Sequence, residues 1–232
     1  LLTENDVRSN RVFPDAVAYG GWQMDQHTPG GIMDFDKYPS RILNYPGCYT
    51  IPYRCFYSRE VPNLMMAGRD ISVTKMAFGS TRVMGTCAVG GQAAGTAAAL
   101  AVRRGVLPGD MAGHMEELQQ TLLRDDCYLP GFANRDPGDL CRTAKVTAAS
   151  WKEGREPEKA VNGVARRVDG EENCWESRDL ESAQLTLKLA QPARVGQVRL
   201  TFDPNLTREI MPSMTRNVRA RQVKGLPPEL VR

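Results

Sequence analysis

Apolar residues recur with two different periods along this chain, and the change of period divides it into two parts. Within residues 110–124 four apolar residues repeat at intervals of three and four: Met111, Met115, Leu118 and Leu122. This period is typical of a helix with one apolar face, and it predicts a helix over 110–124 whose stripe lies in the core. The stripe is therefore not interpreted as a ligand site.

After residue 141 the period becomes two. Three segments alternate apolar and polar residues and are separated by turn residues: 144–150, 183–191 and 194–203. The alternation predicts antiparallel strands, which we interpret as a partial antiparallel β-sandwich. Residues 131–139 (GFANRDPGD) have the composition of a linker. We therefore predict two domains, 1–141 and 142–232.

Small residues dominate the stretch 79–100 (GSTRVMGTCAVGGQAAGTAAAL). It predicts a helix over 86–103, which Gly105 and Pro108 would end, and a strand is predicted before it at 63–68. The helix carries the pattern Gly91-x-x-x-Gly95, which also occurs in membrane helices. Alanine, glycine and threonine contribute little transfer energy, however, and Gln92 lies inside the run, so we do not expect a membrane span.

Composition narrows the classes of function. The chain has 232 residues, of which 41% are hydrophobic and 25% charged, as in globular proteins. Its net charge of +3 is too small to indicate nucleic acid or an anionic membrane as a partner. A basic cluster at 215–224 is interpreted as a solvated strand or loop face. The six cysteines form no C-x-x-C pair, which predicts free thiols and no metal site.

The start of the small-residue helix is the strongest candidate for a ligand site. Backbone N–H groups near Gly85, Thr86 and Cys87 would lack helical partners and would carry a partial positive charge, so they could hold an anion or a cofactor. No Walker A loop and no G-x-G-x-x-G motif is present in the sequence. From the residues alone, a packing helix without any ligand remains an open alternative.

Three blocks in the same order carry a family resemblance: residues 19–31 (YGGWQMDQHTPGG), 49–64 and 63–105. They resemble the C-terminal flavin-binding segment of bacterial FAD-dependent oxidoreductases, relatives of the glutathione-reductase-like flavoproteins, over about residues 12–130. The resemblance implies an α/β fragment of an FAD/NAD(P)-binding-type domain, FAD as cofactor, and two-electron redox chemistry on a small organic substrate. We also expect that the N-terminal Rossmann portion of the same protein is missing, so that this chain alone is inactive.

The resemblance also assigns residues to the cofactor. The turn Gly68, Arg69 and Asp70 resembles the turn that approaches the FAD pyrophosphate and ribityl chain. The loop and helix start that would meet the pyrimidine edge of the isoalloxazine comprise Arg82, Met84, Gly85, Thr86, Cys87 and Ala88. Members of the family often have histidine at the position of Lys75, so no role is carried over to that residue.

Two residues are candidates for catalysis. His27 lies in the first resembling block and could act as a general acid or base beside the flavin. Alternatively, it is a loop histidine bonded to Asp25 or to the backbone. Arg54 could bind an anionic substrate group, or it could pair with Glu60.

The second part has a resemblance of its own. From Lys145 onward, residues 160–163 (AVNG) and 173–179 (NCWESRD) resemble the start of a discoidin-like, galactose-binding β-sandwich. This suggests a carbohydrate-related substrate and an exported or periplasmic protein. Asn162 stands where that family usually has aspartate, so we expect no calcium site. The alternative function is a non-catalytic module that binds carbohydrate or a cell surface, carried on an α/β scaffold.

Overall fold

A computed structural model describes residues 1–44, 47–166 and 172–202, and within these residues it contains four α-helices and six short strands. The helices are α1 (Glu4–Arg8), α2 (Lys75–Thr81), α3 (Met84–Arg104) and α4 (Met115–Arg124). The strands are β1 (Ala16–Gly20), β2 (Met24–His27), β3 (Ser40–Leu43), β4 (Tyr49–Pro52), β5 (Lys145–Ala148) and β6 (Leu185–Lys188). All of these elements belong to one compact unit, Leu1–Pro192.

The strands form three separate two-stranded antiparallel sheets, β1 with β4, β2 with β3, and β5 with β6. In the second sheet His27 lies opposite Ser40, at the end of the pairing. Helices combined with small antiparallel sheets agree with the predicted partial α/β domain.

Helix α3 has a buried side and an exposed side, and both consist mainly of small residues. Its buried residues are Thr86, Gly90, Ala93, Ala94, Ala97, Leu100 and Ala101. Its exposed side carries Gly85, Ala88, Gln92, Gly95, Ala99 and Val102. The helix ends where predicted, because Gly105 has a φ of +66° and the Val106 N–H donates to the carbonyl of Ala101 at 3.0 Å. The predicted helix at 86–103 is therefore confirmed.

The core lies where α3 and α4 pack on each other and on β1, which pairs with β4. The predicted apolar stripe is confirmed, since Met111, Leu118 and Leu122 are fully buried and Met115 packs against them. The α-helix itself begins only at Met115. Residues Pro108–His114 form a 3₁₀ helix instead, because this stretch contains two glycines, which disfavour the α conformation.

Gly90 determines how closely α3 can approach the rest of the core. A Cβ atom at this position would lie 2.9 Å from the ring of Phe56, which is itself fully buried. The glycine therefore lets the aromatic ring pack directly on the helix backbone.

The strand predicted at 63–68 is wrong. Only Met65 forms a bridge, with Tyr57, and two backbone hydrogen bonds flank it, from Ser58 N–H to the Leu64 carbonyl and from Met66 N–H to the Phe56 carbonyl. The segment then turns at Gly68, whose φ is +68°. The apolar residues of this stretch meet too short a neighbouring segment to form a ladder.

The period-two pattern of the second part is confirmed for two of its three segments, which contain β5 and β6. The third segment forms no strand over residues 194–202. Asp203 and the basic cluster at 215–224 lie outside the described residues. Residues 131–139 contain turns and no helix or strand. The β-sandwich and the two domain boundaries stay predictions.

All six cysteines are free, as predicted. In the described ranges, no helix combines the length and the apolar character that a bilayer crossing needs.

Candidate functional site

The site begins with a close contact between helix α2 and strand β2. A Cβ atom at Gly79 would lie 2.7 Å from the carbonyl oxygen of Asp25 and closer still to the side-chain amide nitrogen of Gln26. The Gln26 amide donates to the carbonyls of Met76, at 3.2 Å, and Lys75, at 3.4 Å. The missing side chain at Gly79 thus allows the helix to lie directly on the strand.

The last turn of α2 is also held from a second side. The hydroxyl groups of Ser80 and Tyr49 lie 2.7 Å apart in the interior, and the Ser80 hydroxyl donates to the carbonyl of Trp22. These contacts fix the end of α2 against β4 and against the segment before β2. They consequently fix the residue that follows the helix end, Arg82.

Arg82 reaches two side chains of β2, and the three residues together are called the Asp25–His27–Arg82 cluster. Asp25 and His27 are two positions apart on a strand and therefore share one face. The Nη2 atom of Arg82 lies 2.9 Å from Nε2 of His27 and 3.2 Å from Oδ2 of Asp25. The same nitrogen lies 3.4 Å from the Asp25 carbonyl. The cluster thus connects β2 to the loop between α2 and α3.

Exposure differs sharply within the cluster. The imidazole of His27 is 65% exposed, whereas the side chains of Asp25 and Arg82 are 24% and 25% exposed. The Oδ1 atom of Asp25 is buried and has no hydrogen-bond partner in the described part of the chain. The histidine is therefore the member of the cluster that a dissolved ligand can reach.

The cluster adjoins the start of α3, because Arg82 precedes the first helical residue, Met84, by two positions. No side chain caps this helix end, so the N–H groups of its first turn are available to a ligand. Met84 and Gly85 are exposed, and no atom lies within 4 Å of the place where a Cβ of Gly85 would be. An electron-rich group could therefore approach the backbone here.

The other predicted residues of this helix start differ in what they offer. Ala88 is exposed, one turn after Met84. The side chain of Thr86 is buried, and the thiol of Cys87 donates to the carbonyl of Thr81 at 3.6 Å. The backbone N–H of Thr86 remains for a cofactor, whereas the backbone N–H of Cys87 already donates to the carbonyl of Val83 at 3.0 Å.

The turn Gly68–Asp70 is a short 3₁₀ helix that packs against α3. Its positive φ at Gly68 favours glycine, and a Cβ there would meet no atom within 4 Å. The guanidinium of Arg69 lies 5.2 Å from the centre of the Phe78 ring, a cation–π distance, so α2 holds this side chain. The backbone of the turn is open to a ligand.

Arg54 is not part of the cluster. Its guanidinium forms an ion pair with Asp15 at 2.5 Å and lies 4.8 Å from the centre of the Phe13 ring. The predicted alternative pairing with Glu60 is therefore wrong. Among the described residues no contact joins Arg54 to His27.

Neighbouring aromatic residues serve packing. Tyr53 donates to the carbonyl of Pro108 at 2.8 Å, and its ring centre lies 5.2 Å from that of Tyr57. Burial, with a smaller effect of Tyr57, raises the pKa of Tyr53 to about 12, so this phenol remains protonated at neutral pH.

Several contacts of the predicted site residues and of their supports were not found from the sequence. The ion pair of Arg54 with Asp15, the packing role of Gly79 and the contact between Arg82 and His27 all depend on tertiary structure. One signal was present, because Asp25-x-His27 at the end of a strand places a carboxylate and an imidazole on the same face.

The second resembling region uses its polar groups internally. The indole N–H of Trp175 donates to the carbonyl of Ser150 at 3.1 Å, and its side chain is half-buried. The Asn162 amide donates to Asn173 at 2.6 Å and its oxygen accepts from the N–H of Val164. No group of three His, Cys, Asp or Glu side chains in the described residues could hold a metal ion.

A protein-family model described as FAD dependent oxidoreductase matches residues 1–122, which is more than half of the chain. This range contains the three resembling blocks, the Asp25–His27–Arg82 cluster and every residue predicted to contact the cofactor. No curated protein and no solved structure matches the chain at a significant level.

Proposed function

Because this chain belongs to the FAD dependent oxidoreductase family, whose cofactor is FAD, we propose that it forms the flavin-facing side of an enzyme that performs two-electron redox chemistry on a small organic substrate. One observation carries the proposal. The 2.9 Å contact between His27 and Arg82 joins the residue predicted for catalysis to the loop predicted for the flavin.

The start of α3 fits the pyrimidine edge of an isoalloxazine. Its first-turn N–H groups lack a cap, and Met84 and Gly85 leave the backbone exposed. Bound FAD supplies the two-electron chemistry, and its reduced form carries negative charge at this edge. A helix N-terminus stabilises a partly buried anion by up to about 2 kcal/mol, which corresponds to roughly 40 mV for a two-electron couple.

The turn Gly68–Asp70 is proposed to hold the pyrophosphate and ribityl part of the same cofactor. Its open backbone and its packing on α3 support this. The sequence has no G-x-G-x-x-G motif, so we propose that an N-terminal Rossmann portion of the same protein binds the adenosine half.

His27 is proposed to face the substrate. It is exposed, whereas its two partners are mostly buried, so it presents its imidazole while Asp25 and Arg82 hold it. Arg54 is proposed to contact anionic substrate groups, which would have to exchange with Asp15.

The finer assignments are also proposals. Residues 142–232 would form a partial galactose-binding-like β-sandwich, supported by the antiparallel pair β5 and β6. This makes sugars and their derivatives the first substrates to test. No observation in the described residues favours the alternative of a non-catalytic binding module.

The test uses the full-length enzyme, which includes the proposed N-terminal Rossmann portion and is loaded with FAD. A panel of sugars and simple alcohols is added without oxygen, and reduction is monitored as the loss of the absorbance of the oxidised flavin. We expect at least one sugar-related compound to reduce wild-type enzyme and the His27→Ala variant to respond far more slowly. Equal reduction of both forms by every active compound would remove His27 from the proposal. An enzyme that binds FAD but reacts with no organic donor or acceptor would overturn the proposed substrate class.

A further inference from the structure

The hydrogen bond between His27 and Arg82 has only one possible direction. A guanidinium group has N–H donors and no acceptor, so Arg82 must donate and Nε2 of His27 must accept at 2.9 Å. A neutral imidazole whose Nε2 accepts carries its proton on Nδ1. The contact therefore selects one of the two neutral tautomers of His27.

Arg82 is held in a position from which it keeps donating to Nε2 of His27. Its Nη2 atom also contacts Oδ2 of Asp25 at 3.2 Å, and three quarters of its side chain is buried. The residue directly follows the last turn of α2, which is anchored by Gly79 against β2 and by the Ser80 hydroxyl against Tyr49. Because the same Nη2 atom makes both contacts, its movement away from His27 would also disturb the contact with Asp25.

The other charged groups around the imidazole do not favour the opposite tautomer of His27. Oδ2 of Asp25 lies 3.6 Å from Nε2, too far for a hydrogen bond, and it is bound to Arg82 instead. Two further charged residues lie on the elements that pack against β2. Arg41 of β3 is paired with Gln26, and the backbone carbonyl of Lys75 in α2 accepts a hydrogen bond from the Gln26 side chain. Within the described part of the chain, the charged groups that His27 contacts are thus Arg82 and Asp25.

We propose that Arg82 is a positioning residue that keeps His27 as the neutral Nδ1–H tautomer, so that His27 acts toward a ligand as a hydrogen-bond donor and not as a base. This inference rests on the proposed function for its catalytic meaning. The lone pair that a base would need is occupied by Arg82, and the free ring nitrogen offers an N–H. Such a donor suits a carbonyl, alkoxide or carboxylate oxygen of the substrate.

The tautomer can be measured without FAD and without activity. We would label the histidines of the 232-residue protein with ¹⁵N and record long-range ¹H–¹⁵N correlations at about pH 8, above the ordinary imidazole pKa of about 6.5. The chain has two histidines, so a His114→Gln variant assigns His27. We expect the Nδ1–H form to predominate at His27, and a predominant Nε2–H form in the wild type would overturn the proposal.

Variants of Arg82 test the cause. In Arg82→Met we expect the major tautomer to change to Nε2–H, whereas Arg82→Lys, which keeps a cation with donors only, retains Nδ1–H. Arg8→Gln, which breaks an exposed pair with Glu4, serves as the matched control and should leave His27 unchanged. If Arg82→Met keeps the wild-type tautomer in a folded protein, Arg82 does not set it. If the tautomers behave as expected but His27→Ala leaves flavin reduction unchanged, the proposed function fails and the positioning by Arg82 stands.

Discussion

The Nε2 atom of His27 accepts a hydrogen bond from Arg82 at 2.9 Å, although the two residues are 55 positions apart in the sequence. One residue ends strand β2 and the other connects α2 to α3. The contact exists because α2 lies directly on β2. It brings an exposed imidazole next to a helix start that offers unpaired N–H groups.

Substitutions of His27 should show whether it acts as a hydrogen-bond donor or as a general base. Replacement by alanine in the FAD-loaded enzyme should slow flavin reduction by about 10²–10³-fold, the usual cost of removing one positioned donor. Asparagine keeps an N–H near the position of Nδ1, so His27→Asn should recover part of the rate, whereas His27→Gln should not. Stopped-flow absorbance measures all three. Equally low rates for Asn, Gln and Ala, with FAD content unchanged, would favour a base instead.

In the full-length enzyme that binds FAD, Gly85→Val should weaken FAD binding without destabilising the protein. Gly85 lies within α3, has no positive φ, and a Cβ there meets no atom within 4 Å, so valine fits the fold. Its branched side chain would block the approach of the isoalloxazine, and we expect FAD affinity to fall about tenfold or more, a loss of roughly 1.4 kcal/mol.

Gly95→Val is the matched control for that experiment, because Gly95 is exposed on the same helix and is equally open. Titration of apoenzyme with FAD should give wild-type affinity for this variant. Equal losses at both positions would show that the helix start has no special role.

The 232-residue chain by itself should not retain FAD. It contains the residues proposed for the flavin, the ribityl chain and one side of the pyrophosphate, but not the G-x-G-x-x-G loop that we propose for the adenosine half. Protein purified in the presence of FAD and then desalted should show no flavin absorbance at about 450 nm, the band expected of oxidised flavins. One flavin per chain after desalting would contradict the proposed division of the site.

Gly79→Ala should destabilise the fold by about 1–3 kcal/mol, the usual cost of overpacking. The added methyl group would collide with the backbone of β2 at Asp25, which cannot rotate away as a side chain could. Urea unfolding of the chain measures the effect. Gly91→Ala, at an open position of α3, should instead stabilise by up to about 1 kcal/mol. The same sign for both variants would refute the close packing at Gly79.

The N-terminal helix should lose stability in acid through Asp6. Although burial raises the pKa of this carboxyl, hydrogen bonds from Thr3 and Arg11 outweigh burial and hold its pKa below the ordinary value. The unfolded chain therefore binds a proton at higher pH than the folded one, and the stabilisation is complete above the unfolded pKa, about 3.9, and lost as pH falls through the lower folded value.

Comparison of wild type with Asp6→Asn tests this linkage. Urea unfolding at neutral pH should show a loss of about 1–2 kcal/mol in the variant, because charge-assisted hydrogen bonds to a capping residue are removed. The difference should shrink as pH falls below about 4. A difference that stays constant down to about pH 2 would mean that the charge of Asp6 contributes nothing.

Local patterns in the sequence predicted the elements that depend on neighbouring residues. The intervals of three and four among Met111, Met115, Leu118 and Leu122 predicted a buried face. Gly105 predicted the end of α3. The pattern failed where the formation of a strand depends on a partner strand. Residues 63–68 have apolar residues suited to a strand, but a strand needs a neighbour of sufficient length, and the period of a single segment does not report one.

The candidate site was predicted in pieces and not as a whole. His27 and Arg82 were each selected, the first from a block with histidine, glycine and proline, the second from the loop before a small-residue helix. Their contact could not be derived, because it depends on the missing side chain of Gly79 and on a helix that reaches across to β2. Arg54 shows the opposite outcome, since its partner Asp15 lies 39 positions away and was not considered.

Gly79 also changes how mutational data on this protein should be interpreted. Its backbone supports the cluster, and no group of this residue is proposed to touch a ligand. A saturation library scored by enzyme turnover would nevertheless rank position 79 among the least tolerant, next to His27. A parallel library scored by the amount of folded protein in cells would separate them, because substitutions at 79 deplete the protein, whereas substitutions at the exposed His27 leave its abundance unchanged.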